Sequence, residues 1–552
     1  MTGRRPPLTT DRRLGAGAVR SHGTRGSYRA IASIDGELHL ERTDLGVPAP
    51  GPGQPPGRPL ACLVHVTDLQ LADVQSPTRF EFLNRYYGDP RYAEIIPVQR
   101  PQEALTPHAV DATLRTLNAV RGPVTGLAPE LAVTTGDAID NAQWNEMQNF
   151  LALFDGGTVR PDSGGPRYEG VQSPDWPDDI FWVPDGPGPG GADIYRREFG
   201  FPYHPGLLER ALREFAATGL NIPWLSCFGN HEALNQGVGV MTDGVKKALV
   251  GGSKPVGLPP GFDHNQALDL FTDQPDAFMA GPSRLVTPDP ERRPVARRDF
   301  VEAHFRPGGQ PFGHGFTAQN RADGTAYYAY DTPAARFIAL DTNAAVGGAS
   351  GSVDHDQARW LEERLAEVHS VYRAADGGQV RTGGQDRLVV LFSHHGIDTL
   401  TSTRAAAAGH GTGAQLGPVE MLALLHRFPN VILWLNGHTH INAVRPRPNP
   451  GAPGRGFWEV TTCAIVDWPC QARLVELIDD GDVLSIVCTM VDHDTPVSPR
   501  SLGSLDDLAS LHREIALNVP AGGAHAGRPG TAGDRNVTLR MAAPFPLKGL
   551  AG

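Results

Sequence analysis

The sequence predicts an α/β fold, in which strands and helices alternate along the chain and form layers. Two observations support this. From Leu60 onward, apolar runs of strand length alternate with segments whose apolar residues recur at helical spacing. Polar residues of metal-binding types follow directly after several of the predicted strands. In α/β sheets ligands bind beyond the carboxyl ends of the strands, so the predicted fold brings these polar residues to one edge.

The predicted elements follow one another in regular order. The apolar runs predict strands at 60–68, 129–137, 222–232, 336–342, 387–395 and 431–440. The helical patterns lie at 106–120, 206–219, 354–372 and 418–428. In the third of these helices, Trp360, Leu361, Leu365 and Val368 form one apolar face. The segment 456–492 contains short strands around an Asp-Asp-Gly-Asp turn, which predicts antiparallel strands at a sheet edge.

The domain organisation follows from composition. We expect residues 1–59, rich in Gly and Pro, to form an arm and linker with a short strand pair around Asp35-Gly36. Residues 60–495 form the predicted central domain, followed by a loop-like C-terminal extension at 496–552. The central domain is also expected to contain long loops, which are usually lids, binding loops or unstructured segments. They are predicted at 156–204, 236–330 and 371–386.

Charge and cysteine usage narrow the classes of function. The net charge of -12 makes nucleic acid an unlikely partner, because backbone binding requires a basic surface. The five scattered cysteines are expected to be buried free thiols, which suits the reducing cytoplasm. Arg4 and Arg5 are not followed by the apolar region of an export signal, and no apolar run is long enough to span a membrane. We therefore expect a cytoplasmic protein, with export of a longer precursor left open. Nothing in the sequence selects an oligomeric state.

Five short motifs each follow a predicted strand and offer oxygen or imidazole ligands. They are TDLQ at 67–70, TGDAIDN at 135–141, FGNHE at 228–232, SHHG at 393–396 and NGHTH at 436–440. Three of them place a glycine beside the candidate ligand, which permits a tight turn and close backbone approach. Any one of these motifs is a weak signal. Five such motifs in this order, each at the end of a predicted strand, indicate a metal site.

With these motifs the chain resembles the calcineurin-like metallophosphoesterase superfamily, whose pattern reads Asp-x-His, Gly-Asp, Gly-Asn-His-Asp/Glu, His and Gly-His-x-His. The resemblance covers about residues 60–490, and the long inserts are similar to those of an actinobacterial-type subgroup. It implies a four-layer α-β-β-α sandwich with long loop insertions. It also implies a centre of two divalent ions, Mn, Fe or Zn, that hydrolyses phosphoric esters. The substrate would be a small or nucleotide-like phosphomonoester or phosphodiester.

The resemblance also implies a role for each matched residue. The implied metal ligands are Asp68, Gln70, Asp137, Asn230, His394, His438 and His440. Asp137 would bridge the two ions. Asp68, Gln70 and His440 would complete the shell of the first ion. The second ion would be held by Asn230, His394 and His438, with His394 preferred to His395 because the family's ligand is the first residue of this motif.

The same resemblance places His231 near the leaving group of the substrate and Glu232 where it would orient the His231 imidazole. A protonated His231 could stabilise or protonate the leaving oxygen. Two interpretations stay open for Asn141, which would hold the nucleophile or phosphate, or cap a helix. Arg79 would reach a phosphate or form a structural ion pair.

Gln70 stands where the family pattern has histidine. A glutamine oxygen can coordinate a metal, but it is a harder and neutral ligand, so we expect a more labile first ion that favours Mn²⁺ or Mg²⁺ over Zn²⁺. Asp73 could compensate as a ligand or lie as a solvated loop acid. Gln70 also keeps an alternative open, a metal-binding or interaction protein on the same fold that has lost catalysis.

Overall fold

The computed structural model describes residues 5–51, 53, 56–343, 346–402, 404, 415–520, 523 and 527–550. It confirms the α/β prediction, because helices pack around two mixed sheets of seven and six strands. None of the helices in these ranges combines the length and the apolar character needed to cross a bilayer.

The strands are numbered in chain order. They are β1 (Arg12–His22), β2 (Ser27–Asp35), β3 (Leu40–Arg42), β4 (Arg58–Val66), β5 (Leu131–Thr134), β6 (Gly157–Val159), β7 (Phe215–Ala217), β8 (Trp224–Leu225), β9 (Ser253–Pro255), β10 (Ser283–Leu285), β11 (Tyr328–Asp331), β12 (Ala335–Leu340), β13 (Val371–Arg373), β14 (Gln379–Arg381), β15 (Leu388–Ser393), β16 (Val431–Asn436), β17 (Ala443–Pro448), β18 (Gly456–Thr461), β19 (Gln471–Asp479), β20 (Val483–Asp492) and β21 (Val537–Ala542).

Each of the four predicted helical patterns contains an α-helix that is shorter than the pattern, and the described chain has further α-helices elsewhere. The α-helices span Thr106–Leu117, Trp144–Asp155, Ile194–Phe199, Leu207–Ala211, Asp243–Leu249, Ala267–Asp273, Arg297–Ala303, Ala318–Asp323, His355–Ala366, Pro418–Leu425 and Leu505–Asn518.

The two large sheets each contain a run of parallel strands. The seven-stranded sheet has the order β3-β21-β20-β19-β4-β5-β8, and β4, β5 and β8 are parallel neighbours. The six-stranded sheet has the order β11-β12-β15-β16-β18-β17, and β12, β15, β16 and β18 are parallel. Parallel neighbours end at the same edge of a sheet, so the polar residues that follow them are brought together.

Side-chain alternation along the six-stranded sheet divides the core. Phe337 and Phe392 belong to the same buried cluster as Leu63 and Val133 of the seven-stranded sheet. Their strand neighbours Ile338 and Leu391 point to the opposite face. There they pack with the helices His355–Ala366 and Pro418–Leu425, which contribute residues such as Leu361 and Met421. Trp360, predicted on the inner face of its helix, is only partly buried.

Several predicted elements differ in the structure. The predicted helix 206–219 ends at Ala211 and is followed by β7, which pairs with β6. The strand pair of the N-terminal arm turns at residues 23–26 and not at Asp35-Gly36, because β1 pairs with β2 from Arg12↔Asp35 to His22↔Ser27. β19 is not at an edge, since it lies between β4 and β20.

The flanking segments contribute to the main sheet. β3, from residues 1–59, pairs in parallel with β21, from residues 496–552, and both belong to the seven-stranded sheet. The C-terminal extension is not loop-like, because it also forms the buried helix Leu505–Asn518. The insert 371–386 forms the hairpin β13-β14. The other two inserts contain short helices and strands.

The cysteine prediction is confirmed for burial and pairing. Each of the five cysteines is buried and free. Burial raises the pKa of the Cys62 and Cys463 thiols to about 12. These thiols therefore stay protonated and behave as small apolar core residues.

Ile515→Ala tests whether the C-terminal segment is part of the core. Ile515 is fully buried with Leu508, Leu105 and Tyr28, so we expect the free energy of unfolding to fall by about 2–5 kcal/mol. Urea denaturation measures it. Val419→Ala, at a position that is 75% exposed, is the matched control and should change it by less than about 0.5 kcal/mol. A loss below about 1 kcal/mol at Ile515 would contradict the described packing.

Candidate metal centre

Both large sheets bring their candidate ligands to one place. Asp68 and Gln70 follow β4, Asp137 follows β5 and Asn230 follows β8, all in the seven-stranded sheet. The ligands from the six-stranded sheet are His394 after β15 and His438 and His440 after β16. One ligand atom each of Asp68, Asp137 and His394 lies within 4.8 Å of the others. Residues far apart in sequence therefore converge as predicted.

Asp137 joins the two sheets. Its Oδ2 lies 3.1 Å from Nε2 of His394, which belongs to the other sheet. Its Oδ1 accepts a hydrogen bond of 2.9 Å from the backbone N–H of His231. The Nδ1–H of His394 donates to the carbonyl oxygen of Thr135 at 2.8 Å. This bond fixes the ring so that Nε2 faces Asp137 and is the nitrogen available to a ligand.

Asp68 and His440 form a second pair across the sheets. Oδ1 of Asp68 lies 3.2 Å from Nε2 of His440. The Nδ1–H of His440 donates to Oδ2 of Asp467 at 2.7 Å. The carboxylate of Asp68 also accepts hydrogen bonds from the Thr67 hydroxyl and the His438 backbone N–H. A carboxylate that holds the far nitrogen of a ligating imidazole is the usual support of a metal-bound histidine.

Two buried amide oxygens of the site are unsatisfied. Oε1 of Gln70 and Oδ1 of Asn230 have no hydrogen-bond partner among the described residues. Nδ2 of Asn230 donates to the carbonyl oxygen of Gly237 at 2.9 Å, which fixes the amide orientation. Nε2 of Gln70 lies 3.0 Å from Nε2 of His231. A buried acceptor without a partner costs about 1–3 kcal/mol, and a cation is the kind of partner that these oxygens fit.

The backbone of the site is strained. The φ angle is positive at Asp68 (51°), Gln70 (43°), Asp137 (51°), His438 (68°) and His440 (58°). Residues other than glycine reach this left-handed region at a cost of about 1–3 kcal/mol each. Such residues concentrate at functional sites, where the surrounding structure enforces the geometry. Five of the seven candidate ligands share this feature.

The carboxylates and imidazoles of the site shift one another's pKa values. Burial alone would raise the pKa of Asp137, but His394 and His231 outweigh it and hold that pKa well below its usual range. Burial alone would lower the pKa of His394, but the Asp137 and Asp68 carboxylates raise it to about 9. Burial lowers the pKa of His438 to about 3, and the nearby His394 adds to this. Without another cation, the buried carboxylates therefore keep a proton on His394.

His394 and His395 differ in the use of their ring nitrogens. Nδ1 of His395 lies 2.9 Å from the Thr342 hydroxyl, and its Nε2 lies 2.9 Å from the carbonyl oxygen of Ala349. Both nitrogens of His395 are therefore occupied by protein groups. His394 keeps Nε2 directed at Asp137. This geometry favours His394 as the ligand, although His395 also lies close to His394 and His438.

His231 lies in the cleft, but Glu232 does not contact its ring. The Nδ1–H of His231 donates to the carbonyl oxygen of Asp140 at 2.6 Å. The Glu232 carboxylate instead accepts four backbone hydrogen bonds, from Gly229, Asp137, Ala138 and Ile139. The prediction that Glu232 orients the imidazole is therefore wrong. Glu232 ties the turn after β8 to the turn after β5, and burial, followed by the nearby Asp137, raises its pKa to about 8.

The two candidate substrate-binding residues are engaged elsewhere. Arg79 is fully buried and donates to both oxygens of Glu103, to Oδ2 of Asp140 and to the carbonyl of Val98. This is the structural ion pair that the sequence left open. Asn141 is also fully buried.

The side-chain hydrogen bonds of Asn141 contradict both roles that the sequence left open, phosphate binding and helix capping. Its Nδ2 donates to the Thr78 hydroxyl at 3.0 Å, and its Oδ1 accepts from the Asn235 amide and the Gln236 backbone N–H. It neither reaches the cleft nor caps the following helix, whose N-cap is Gln143. Asp73 is neither solvated nor a ligand, because it is buried against Arg292 with Oδ2 2.9 Å from Nε.

The cleft contains residues that the sequence did not indicate. It has a volume of about 380 Å³. Gln70, Asp137, Asn230, His231, His438 and His440 line it together with Arg100, Asp140 and Arg528. The sequence motifs also did not indicate Asp467, which accepts a hydrogen bond from His440. Neither arginine belongs to a motif. An aspartate inside the otherwise apolar segment 463–468 was the only signal for Asp467.

Comparisons with known proteins add no assignment. A scan against models of known protein families finds no match for this chain. No curated protein matches its sequence significantly.

Arg79→Met tests the structural role of this arginine. The substitution leaves the buried carboxylates of Glu103 and Asp140 without their cation, so we expect a loss of about 3–5 kcal/mol in the free energy of unfolding. Chemical denaturation measures it. Arg160→Met is the control, because Arg160 pairs with Glu214 at the surface, and it should leave stability unchanged within error. Full stability of Arg79→Met would show that the buried network is not holding the fold.

Proposed function

We propose that this chain is a metal-dependent hydrolase of phosphoric esters with two divalent ions bound at the ends of the two sheets. The observation that carries the proposal is the pair of buried, unpartnered amide oxygens, Gln70 Oε1 and Asn230 Oδ1. Both residues line one cleft with the carboxylate of Asp137. Other buried amide oxygens of the described chain, such as Gln99 Oε1 and Gln172 Oε1, also have no partner, so the distinguishing feature of these two is their position beside Asp137 in the cleft.

We also infer a four-layer α-β-β-α sandwich with long loop insertions. Residues of both sheets share one buried cluster. Helices cover the other face of the six-stranded sheet. Helix Thr106–Leu117 contributes Val110 and Leu114 to the same buried cluster as the strands of both sheets. This arrangement supports the fold that the sequence motifs imply.

The residues divide into two sets that share Asp137. Asp68, Gln70 and His440 would hold one ion, and Asn230, His394 and His438 the other. Each set combines carboxylate or amide oxygens with imidazole, a mixture that suits Mn, Fe or Zn. When bound, two such ions would neutralise phosphoester charge and make an attacking water more acidic.

The protein itself would position the substrate and manage one proton. Because Nδ1 of His231 is committed to the Asp140 carbonyl, Nε2 is the ring nitrogen that faces the cleft. A proton on Nε2 can be donated to the leaving oxygen of the ester. Nε2 lies 3.9 Å from Oδ2 of Asp137, so the acid would sit beside the centre. Glu232 contributes by holding both turns and not by touching the substrate.

A second candidate function is a metal-binding protein that has lost catalysis. The observation that favours it is Gln70, whose amide nitrogen lies 3.0 Å from the reactive nitrogen of His231. This contact would compete with a leaving group for Nε2. The two candidate functions predict the same metal content but different turnover, so a hydrolysis assay on protein of known metal content separates them.

Asp137→Asn tests the metal centre. Elemental analysis of wild-type protein purified without chelator should give about two ions per chain, and the variant should lose at least one because the carboxylate that both candidate ligand sets share is gone. Metal-dependent hydrolysis of p-nitrophenyl phosphate or bis-p-nitrophenyl phosphate should fall more than about 100-fold. Asp376→Asn, in the exposed turn of the β13-β14 hairpin, is the control.

The outcomes separate the alternatives. Two ions without turnover above the Asp137→Asn background would favour the metal-binding protein over the hydrolase for these substrates. Fewer than about one ion per wild-type chain would defeat both proposals and leave a structural domain.

Gln70→His tests whether residue 70 coordinates a metal. Imidazole is a softer ligand than an amide oxygen, so affinity for Zn²⁺ should rise about 10- to 100-fold relative to Mn²⁺. Competition with a chromophoric chelator measures both affinities. Gln70→Ala, which removes the oxygen without adding imidazole, should weaken both. Unchanged affinities in both variants would show that residue 70 is not a ligand.

A further inference from the structure

Two arginines line the cleft beside the candidate metal centre. Arg100 is 92% buried, since its exposed fraction is 8%, and its Nε donates to Oδ1 of Asp467 at 3.1 Å. Among the described residues, the only side-chain hydrogen bond and ion pair of Arg100 are made by its Nε, which leaves Nη1 and Nη2 without such a contact. Arg528 pairs with Oδ2 of the same aspartate. Both arginines share the cleft wall with His231 and His440.

This wall carries excess positive charge. Two guanidinium groups share one carboxylate, that of Asp467, so one positive charge is not balanced locally. Asp140, which also lines the cleft, lies against Arg79, and it shares that arginine with Glu103. Glu94 lies at the exposed end of the cleft and is the opposing charge there. A buried guanidinium with free N–H donors fits a phosphate or a carboxylate, which it can bind in a two-pronged contact.

In the contacts of the described residues, Arg100 and Arg528 reach the candidate metal ligands only through Asp467. Arg100 contacts Asp467, Asp467 contacts His440, and His440 contacts Asp68. One carboxylate and one imidazole therefore stand between Arg100 and the nearest candidate ligand carboxylate along this wall. The cleft also has apolar lining residues, among them Ile95, Pro97 and Val98.

The geometry points to an anion subsite, formed by Arg100 and Arg528, that binds a second anionic group of the substrate. The substrate class is then a phosphoester that carries a further phosphate or carboxylate, with its uncharged part against the apolar lining. This inference rests on the proposed function for the reacting phosphoester. The subsite itself rests on the two arginines.

Three non-hydrolysable ligands, each with three carbon atoms, test the subsite. They are propylphosphonate, 3-phosphonopropionate and propane-1,3-bisphosphonate, which differ in the group opposite the phosphonate. Calorimetric titration of the metal-loaded full chain should show the second and third binding about 10- to 100-fold more tightly than the first, as expected for charge-assisted hydrogen bonds. The last two compounds distinguish a carboxylate from a phosphoryl group. Equal affinities for all three would overturn the proposal.

At full metal content, Arg100→Met should remove this preference, so that the three ligands bind with similar affinities. Arg455→Met, at an exposed arginine that donates to the carbonyl of Ala543, controls for general charge and should keep the preference. Equal weakening of all three ligands by Arg100→Met, with full metal content, would overturn the proposal, because the arginine would then serve the reacting group.

Arg528→Met shows whether the effect of Arg100→Met arises from the subsite or from an indirect loss of metal. Arg100 supports Asp467 and thereby His440, so metal content is measured for each variant. Loss of the preference in Arg528→Met at full metal content supports the subsite. Preference retained in both variants contradicts it.

Asp137→Asn separates this inference from the hydrolase proposal. It should weaken all three ligands together and keep their ratio. If phosphonate binding does not depend on Asp137 but the preference still depends on Arg100, the hydrolase proposal fails and the anion subsite remains.

Discussion

The carboxylate of Asp137 is the group on which the rest of the site depends. It is buried between the ends of two sheets and contacts His394 of one and the backbone of His231 of the other. A buried carboxylate is tolerated only with positive charge or hydrogen-bond donors around it. The His394 imidazole and the His231 backbone N–H meet this requirement, and Glu232 holds the backbone of the turns after β5 and β8. The geometry of the cleft follows from it.

The sequence predicted the parallel centre of the fold well and its periphery poorly. Strands such as β4 and β15 are buried on both faces, so they are continuous apolar runs that need no tertiary information to recognise. The segment 206–219 carries helical spacing, but β7 forms there because β6 offers it a partner strand. Pairing between segments distant in the chain also explains β3 and β21, whose sequences are not distinctive.

For the candidate site, motifs identified the residues that converge but not the partners that hold them. Asp68, Asp137 and His394 follow strands and could be found by position. Arg79 could not be assigned, because its partner Glu103 lies in no motif and the pairing arises only in the fold. The contact of Arg100 with Asp467 spans 367 residues. Such contacts determine which polar groups are free to bind a ligand, and they require the structure.

The positive φ angles of five candidate ligands have a consequence for how this protein tolerates change. Glycine adopts that backbone conformation without strain, so replacing a ligand such as His438 by glycine relieves the backbone while it removes the side chain. Selection for thermal stability alone would then favour loss of the centre. At these turns stability and the proposed activity would oppose each other, and a stabilised variant obtained without selection for function would be expected to carry substitutions there.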